Sequence, residues 1–350
     1  MRTKLTLMAL FALLIGILPS MAQDEVPYEV LVEGLNNPRG VNFSPDGVLY
    51  VAEAGIGGDI DFPEGPFGPA MLGFTGRVSA VVDGVSSTVI DYLPSVNPGG
   101  APDAPAEILG TMDIIATDDQ LWTVMGHELK GVTLAGTVVG YDRVSLRPFQ
   151  VLDIYGYEHA ADPDGTGELL SNVVGMAVAP DGSNALIVDA SGNTLYRTTF
   201  NGTFAVVKSW ENNPVPTSVA FSPDGTQYAV GFLISFPFPT GASRIELYDA
   251  ATDELIFTAE GLTAITDVVY GTDGTLLAVS YGEFSGETFS WIPNSGSVIA
   301  VSPDGVGTLI TGLQFPYGIA QNPVDGSYAV SVNAVSNPGE GQIITFVWGE

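Results

Sequence analysis

Carboxylates are the only chemically active side chains that this chain holds in number. Asp and Glu total 40 against 10 Lys and Arg, with two His and no Cys. That inventory removes disulfides, thiolate nucleophiles and zinc–thiolate centres. The formal net charge of −30 opposes nucleic-acid binding, since phosphates need Lys and Arg to neutralise them. It opposes an anionic membrane surface for the same reason. Acids at suitable spacing can hold a hard cation or move protons. No Gly-x-Ser-x-Gly elbow, His-Glu-x-x-His helix or P-loop accompanies them.

Several positions follow from aligning six recurring segments on their turn aspartates. One register holds Arg39, Met112, Val174, Thr217, Thr266 and Tyr317, and the next holds Gly40, Asp113, Gly175, Ser218, Asp267 and Gly318, with one inserted residue allowed in the last repeat. The second set is small or acidic, which suits crowding about a central axis. Asp113 and Asp267 belong to the second and fifth repeats and would face each other across a ring of six. Opposed carboxylates repel unless a cation, a proton or water intervenes, or unless each accepts backbone N–H groups. Glu53 and Asp189 close the second apolar run of their repeats and would border the same channel mouth. His127 and His159 lie in loops beside Glu128 and Glu158, where a general base or metal ligand is conceivable but no nucleophile accompanies them. The loop Asp162-Pro163-Asp164-Gly165-Thr166-Gly167-Glu168 offers carboxylates around glycine turns, and Asp59, Asp61 and Glu64 form another acidic group. Neither has EF-hand spacing, so Ca²⁺ competes there with an ordinary polar turn. The metal candidates are therefore Asp113, Asp267, Asp162 and Asp164. Phe236-Pro237-Phe238-Pro239 sets aromatics on a stiff loop, able to grip an apolar ligand or partner or to pack on its own blade.

The elements that must position these groups are short. An apolar run, a Pro-Asp-Gly-like turn and a second apolar run recur, with turn aspartates at Asp46, Asp119, Asp181, Asp224, Asp273 and Asp325. Pro presets such a turn, Asp bonds its own backbone and Gly takes a positive φ. Apolar runs of this length between turns read as strands buried on both faces. Two further strands follow each hairpin, for example over 76–82 and 87–92. Four-stranded antiparallel units of about 50 residues build a β-propeller. The last unit shows only three strands, and Glu29-Val30-Leu31-Val32-Glu33-Gly34-Leu35 resembles the missing fourth. The expectation is an all-β, six-bladed propeller closed by its N-terminal strand. The long connections, 54–75, 94–110, 156–172, 231–243 and 281–296, all fall on one face. Long loops on a rigid scaffold are where binding concentrates.

Residues 1–22 run basic, apolar, then small: Arg2 and Lys4, an apolar stretch from Leu5 to Leu18, then Ser20-Met21-Ala22. That order predicts a secretory signal cut after about Ala22, leaving 23–350 as one exported propeller domain. No later stretch is long and apolar enough for a membrane span.

Two sets of motifs carry a family resemblance. The opening Asn36-Asn37-Pro38-Arg39-Gly40, Leu49-Tyr50-Val51-Ala52-Glu53-Ala54-Gly55 and Phe74-Thr75-Gly76-Arg77-Val78 resembles that of the ScyD/ScyE family. The segments from Val188 to Arg197, Pro216 to Ala220 and Phe236 to Ala242 are similar to its third and fourth blades. The resemblance implies an exported, six-bladed, NHL-like propeller and assigns no chemistry. The expected function is a binding platform, its small molecule or extracellular protein partner held at the loop-rich mouth by Arg39, Glu53, Asp113, His127, His159, Asp189, Asp267 and Tyr317. The alternative is a hydrolase or lactonase with a cation at the channel mouth.

Overall fold

The computed structural model describes residues 25–65, 68–99, 105–127 and 129–349. The expected signal segment lies outside them, as does Glu128. Six antiparallel sheets stand around an axis, each with its first strand innermost. The inner strands are Pro38–Phe43, Thr111–Ala116, Val173–Val178, Pro216–Phe221, Ile265–Tyr270 and Ile319–Gln321. Neighbouring inner strands touch all the way round, and the first meets the last. The expected propeller is therefore the observed fold.

The second strands lie between blades and are the most apolar. In Leu49–Glu53, Ala185–Asp189, Leu276–Ser280 and Tyr328–Val332 every residue is buried. That is the pattern of strands covered on both faces. The first turns carry the expected Asp chemistry. Asp224 accepts from Ser222 Oγ at 2.7 Å and from the Thr226 N–H at 3.0 Å, and Asp325 accepts from the Ser327 N–H at 2.9 Å.

Ring closure follows the sequence reading. Glu29–Leu35 pairs antiparallel with Gly341–Phe346, from Glu29 opposite Thr345 to Leu35 opposite Gly341. Val32 and Leu35 are buried in that seam. The last sheet thus gains its outer strand from the start of the chain, which leaves no open edge between first and last blades.

Four of the long connections hold structure beyond the expected loops. The third and fourth strands of blade 1 lengthen to Gly68–Val82 and Val85–Asn97, and Ile60–Gly65 adds a further strand against the former. Residues 154–161 form a helix, Ile154–Ala161, whose first turn is capped by Asp153 accepting the Gly156 N–H at 2.8 Å. It ends at Asp162, which has φ 45°. A small hairpin, Phe284–Ser285 with Ser290–Trp291, rises from blade 5. No helix among the described residues is long and apolar enough to cross a membrane.

Candidate functional site

The axis holds a cavity of about 680 Å³. Its wall runs from the tight-turn face, at Pro45, Asp118, Asp119 and Asp181, down to Met112, Thr217, Thr266 and Tyr317. Beyond that level the channel is closed. Arg39 is 1% exposed, lies 5.1 Å over the Tyr317 ring, and donates to the carbonyls of Ala334 (2.8 Å) and Ile108 (3.0 Å). Both carbonyls belong to loop-face connections, so the guanidinium ties blades across the end where an open mouth was expected. The cavity opens on the opposite face.

Asp113 and Asp267 line this cavity, and each spans two blades. Asp113 accepts the N–H of Ile114 at 2.8 Å and of Met176, on the next blade, at 3.1 Å. Asp267 accepts from Val268 and, across to the last blade, from Ile319, both at 2.8 Å. The small residues of the same register are required by this arrangement: a Cβ on Gly40 would lie 2.1 Å from Asp113 Oδ1. Burial, then the facing Asp267, pushes the Asp113 carboxyl well above its ordinary range. Burial pushes Asp267 up to about 7, against the two N–H groups that favour its charge. Both carboxyls thus sit inside a ring of backbone hydrogen bonds with their protonated forms favoured by burial.

Glu53 and Asp189 do not border the channel. Glu53 is fully buried, paired bidentately with Arg77 (2.7 and 2.8 Å) and accepting from Ser79 Oγ at 2.5 Å and the Asn36 N–H at 2.7 Å. Asp189 occupies the equivalent place in blade 3, accepting from Ser171 Oγ (2.6 Å) and the N–H groups of Asn172 (2.7 Å) and Gly192 (3.0 Å). Each acid anchors the backbone just before its blade's inner strand, a structural duty that explains their matched positions.

The structure separates the two histidines. His127 is partly buried near Arg39, and its N–H donates to Asn172 Oδ1 at 2.9 Å. Burial, with the Arg39 charge second, pushes its imidazole down to about 4. His159 sits exposed on the helix, edge-on to Tyr155 at 5.0 Å. Asp162 and Asp164 follow that helix, remote from the axis in the fold.

The loop-rich face carries a different concavity, of about 1110 Å³, over blades 5 and 6. Tyr281, Phe284, Phe289, Trp291 and Phe315 line it, with Glu33, Glu107 and Glu340 among the polar residues of its wall. The rings form a continuous chain. Phe315 stacks on Tyr281 (5.4 Å, 16°), Tyr281 meets Trp291 edge-on at 4.9 Å, and Trp291 meets Phe284 at 5.3 Å. Phe236 and Phe238 extend the chain: Phe238 lies 4.9 Å from Trp291 and 5.3 Å from Phe284, while Phe236 lies 6.5 Å from Phe289. Phe236 is 60% exposed and Phe289 72%. The sequence pointed to Phe236 and Phe238 and missed the other five. For four of them the signal was the aromatic content of 281–296, which has no fixed spacing; Phe315 stands outside that segment.

No protein-family model matches the chain, and no curated protein matches it. Among solved structures, it is similar to a gluconolactonase from Xanthomonas campestris at 12% identity, covering 92% of this chain and 89% of that one, with a TM-score of 0.57. A virginiamycin B lyase from Staphylococcus aureus aligns over 93% of this chain and 90% of its own, at 13% identity and a TM-score of 0.48. At such identity the first likeness establishes the propeller fold and nothing finer.

Proposed function

We propose that this chain is an exported binding protein of the ScyD/ScyE type that holds a flat, largely apolar small molecule in the aromatic cleft above blades 5 and 6. One observation carries the reading: five rings line one concavity and two more flank it, on loops held by a rigid ring of sheets. Aromatic faces take planar ligands by offset stacking and apolar burial. The acids in the wall disfavour an anionic guest and favour a neutral or cationic one. Fluorescence tests it. A neutral planar probe should quench Trp291 saturably, and the quenching should disappear in Trp291→Leu and weaken about tenfold or more in Phe284→Ala. Absence of saturable binding, or equal binding by both variants, would count against the cleft.

The second reading is a hydrolase working in the axial cavity, favoured by the opposed Asp113 and Asp267 and by the fold shared with a gluconolactonase. The donor set supports it less well. All four carboxylate oxygens already accept a backbone N–H, and the rest of that ring is three glycines and Ser218. A hard cation seeks six or more oxygens. Lactone hydrolysis by the purified protein, abolished in Asp113→Asn, would revive this reading.

A further inference from the structure

We propose that Glu158, Asp162 and Asp164, at the C-terminal end of the helix Ile154–Ala161, form a Ca²⁺ site that fastens this helix and its loop to blade 3. The three carboxylates each bring one oxygen within 4.8 Å of the others. Exposed acids gather without consequence, but Glu158 is fully buried. Its Oε2 accepts from the Tyr196 hydroxyl at 3.2 Å, while its Oε1 is buried with no partner. A buried carboxylate oxygen lacking a donor is costly, and a cation would satisfy it where no N–H reaches.

Charge around the group points the same way. Asp189 is buried beside it, and the ideal Cβ position of Gly192 lies 3.0 Å from Glu158 Oε2 and 3.1 Å from the Asp189 carboxyl carbon. Among the described residues, no ion pair links a Lys, Arg or His to Glu158, Asp162 or Asp164. The donors on the two loop acids are neutral: the Gly167 N–H on Asp162, and the Thr166 N–H, Thr166 Oγ1 and Asn193 Nδ2 on Asp164.

The donor chemistry selects the ion. All three ligands are carboxylate oxygens, which suit hard cations and not zinc or copper. Three protein carboxylates, one from the helix and two from the irregular segment after it, suit Ca²⁺, which takes six to eight oxygens flexibly, better than Mg²⁺, which keeps its waters and uses one or two. The cation would sit where helix, loop and the third strand of blade 3 meet, through Tyr196. This role is independent of the aromatic cleft.

Calorimetry and melting of the exported chain, stripped with EDTA and titrated with CaCl₂, test the proposal. One equivalent should bind, with a Kd on the order of 10⁻⁴ to 10⁻³ M, as in extracellular calcium modules. Terbium bound in its place should be sensitised by Tyr196 and displaced by Ca²⁺. Asp164→Asn, a change at a half-buried loop position, should weaken binding about tenfold or more, and Glu158→Gln should remove it, while Asp61→Asn changes nothing. Identical melting in CaCl₂ and EDTA with no terbium emission would overturn the site. So would wild-type affinity in Asp164→Asn, or Mg²⁺ competing as well as Ca²⁺.

Discussion

Replacing Asp267 by Asn tests the electrostatics of the axial cavity, because the sign of its effect must change with pH. In the folded protein burial raises the Asp267 carboxyl to about 7, while in the unfolded chain it titrates near 3.8. The folded state therefore binds the proton more tightly, and stability is lost as pH rises from the unfolded to the folded value. Each unit is worth about 1.4 kcal/mol, so the full charge costs roughly 4 kcal/mol above pH 7. Asparagine carries no charge, and its amide keeps one acceptor. It loses the second, leaving the N–H of Val268 or Ile319 unpaired at a cost of about 1–3 kcal/mol. At pH 8 the variant should be more stable by about 1–3 kcal/mol, and at pH 4 less stable by a similar amount. The crossover should fall between about pH 4.5 and 6, where the growing charge penalty equals the amide's cost. Thermal melting in EDTA reads this, with Glu158 unchanged in both proteins and so cancelling. A difference of one sign from pH 4 to 8 would refute the reasoning that the channel acid is held partly protonated by burial.

The remaining predictions concern closure, anchoring and the sealed end. Leu35→Ala, at 1% exposure in the seam strand, should cost about 2–4 kcal/mol in melting experiments and expose Gly341–Phe346 to proteolysis. Glu53→Gln leaves the half-buried Arg77 without a counter-charge and removes one acceptor from a buried anchor; it should cost about 1–3 kcal/mol, whereas no measurable loss would show that the anchor is dispensable. Arg39→Met removes the charge facing His127, so the imidazole midpoint followed by NMR should rise from about 4; an unchanged midpoint would leave burial as the whole cause. The same variant frees the carbonyls of Ala334 and Ile108, and their hydrogen-exchange neighbours should lose protection.

The blades were legible because their signals are local. A Pro-Asp-Gly turn between two apolar runs declares a hairpin on its own, and Glu29–Leu35 matched its partners in composition closely enough to predict closure. The ring of small residues and opposed aspartates was also readable, since one register places five of the six and a single inserted residue in the last repeat places Gly318. What failed to show was direction and reach. The side chain of Arg39 turns a predicted mouth into a plug, and nothing in the spacing states where a long guanidinium ends. Glu53 and Asp189 look solvated in a strongly acidic chain, yet Glu53 is taken up by Arg77, Ser79 and the Asn36 N–H, and Asp189 by Ser171 and the N–H groups of Asn172 and Gly192. The helix Ile154–Ala161 is too short to show a period, and Glu158 was therefore seen as a neighbour of His159 when its partners are Asp162, Asp164 and Tyr196. The aromatic cleft draws rings from three blades, a convergence that only the closed ring produces.

A crystal structure of the chain purified from its native source tests the central claim most directly. The account predicts residual density stacked between Trp291 and Phe315, with the axial cavity holding only water around Asp113 and Asp267. Density for a small molecule bound between the two aspartates, with the aromatic cleft empty, would contradict it.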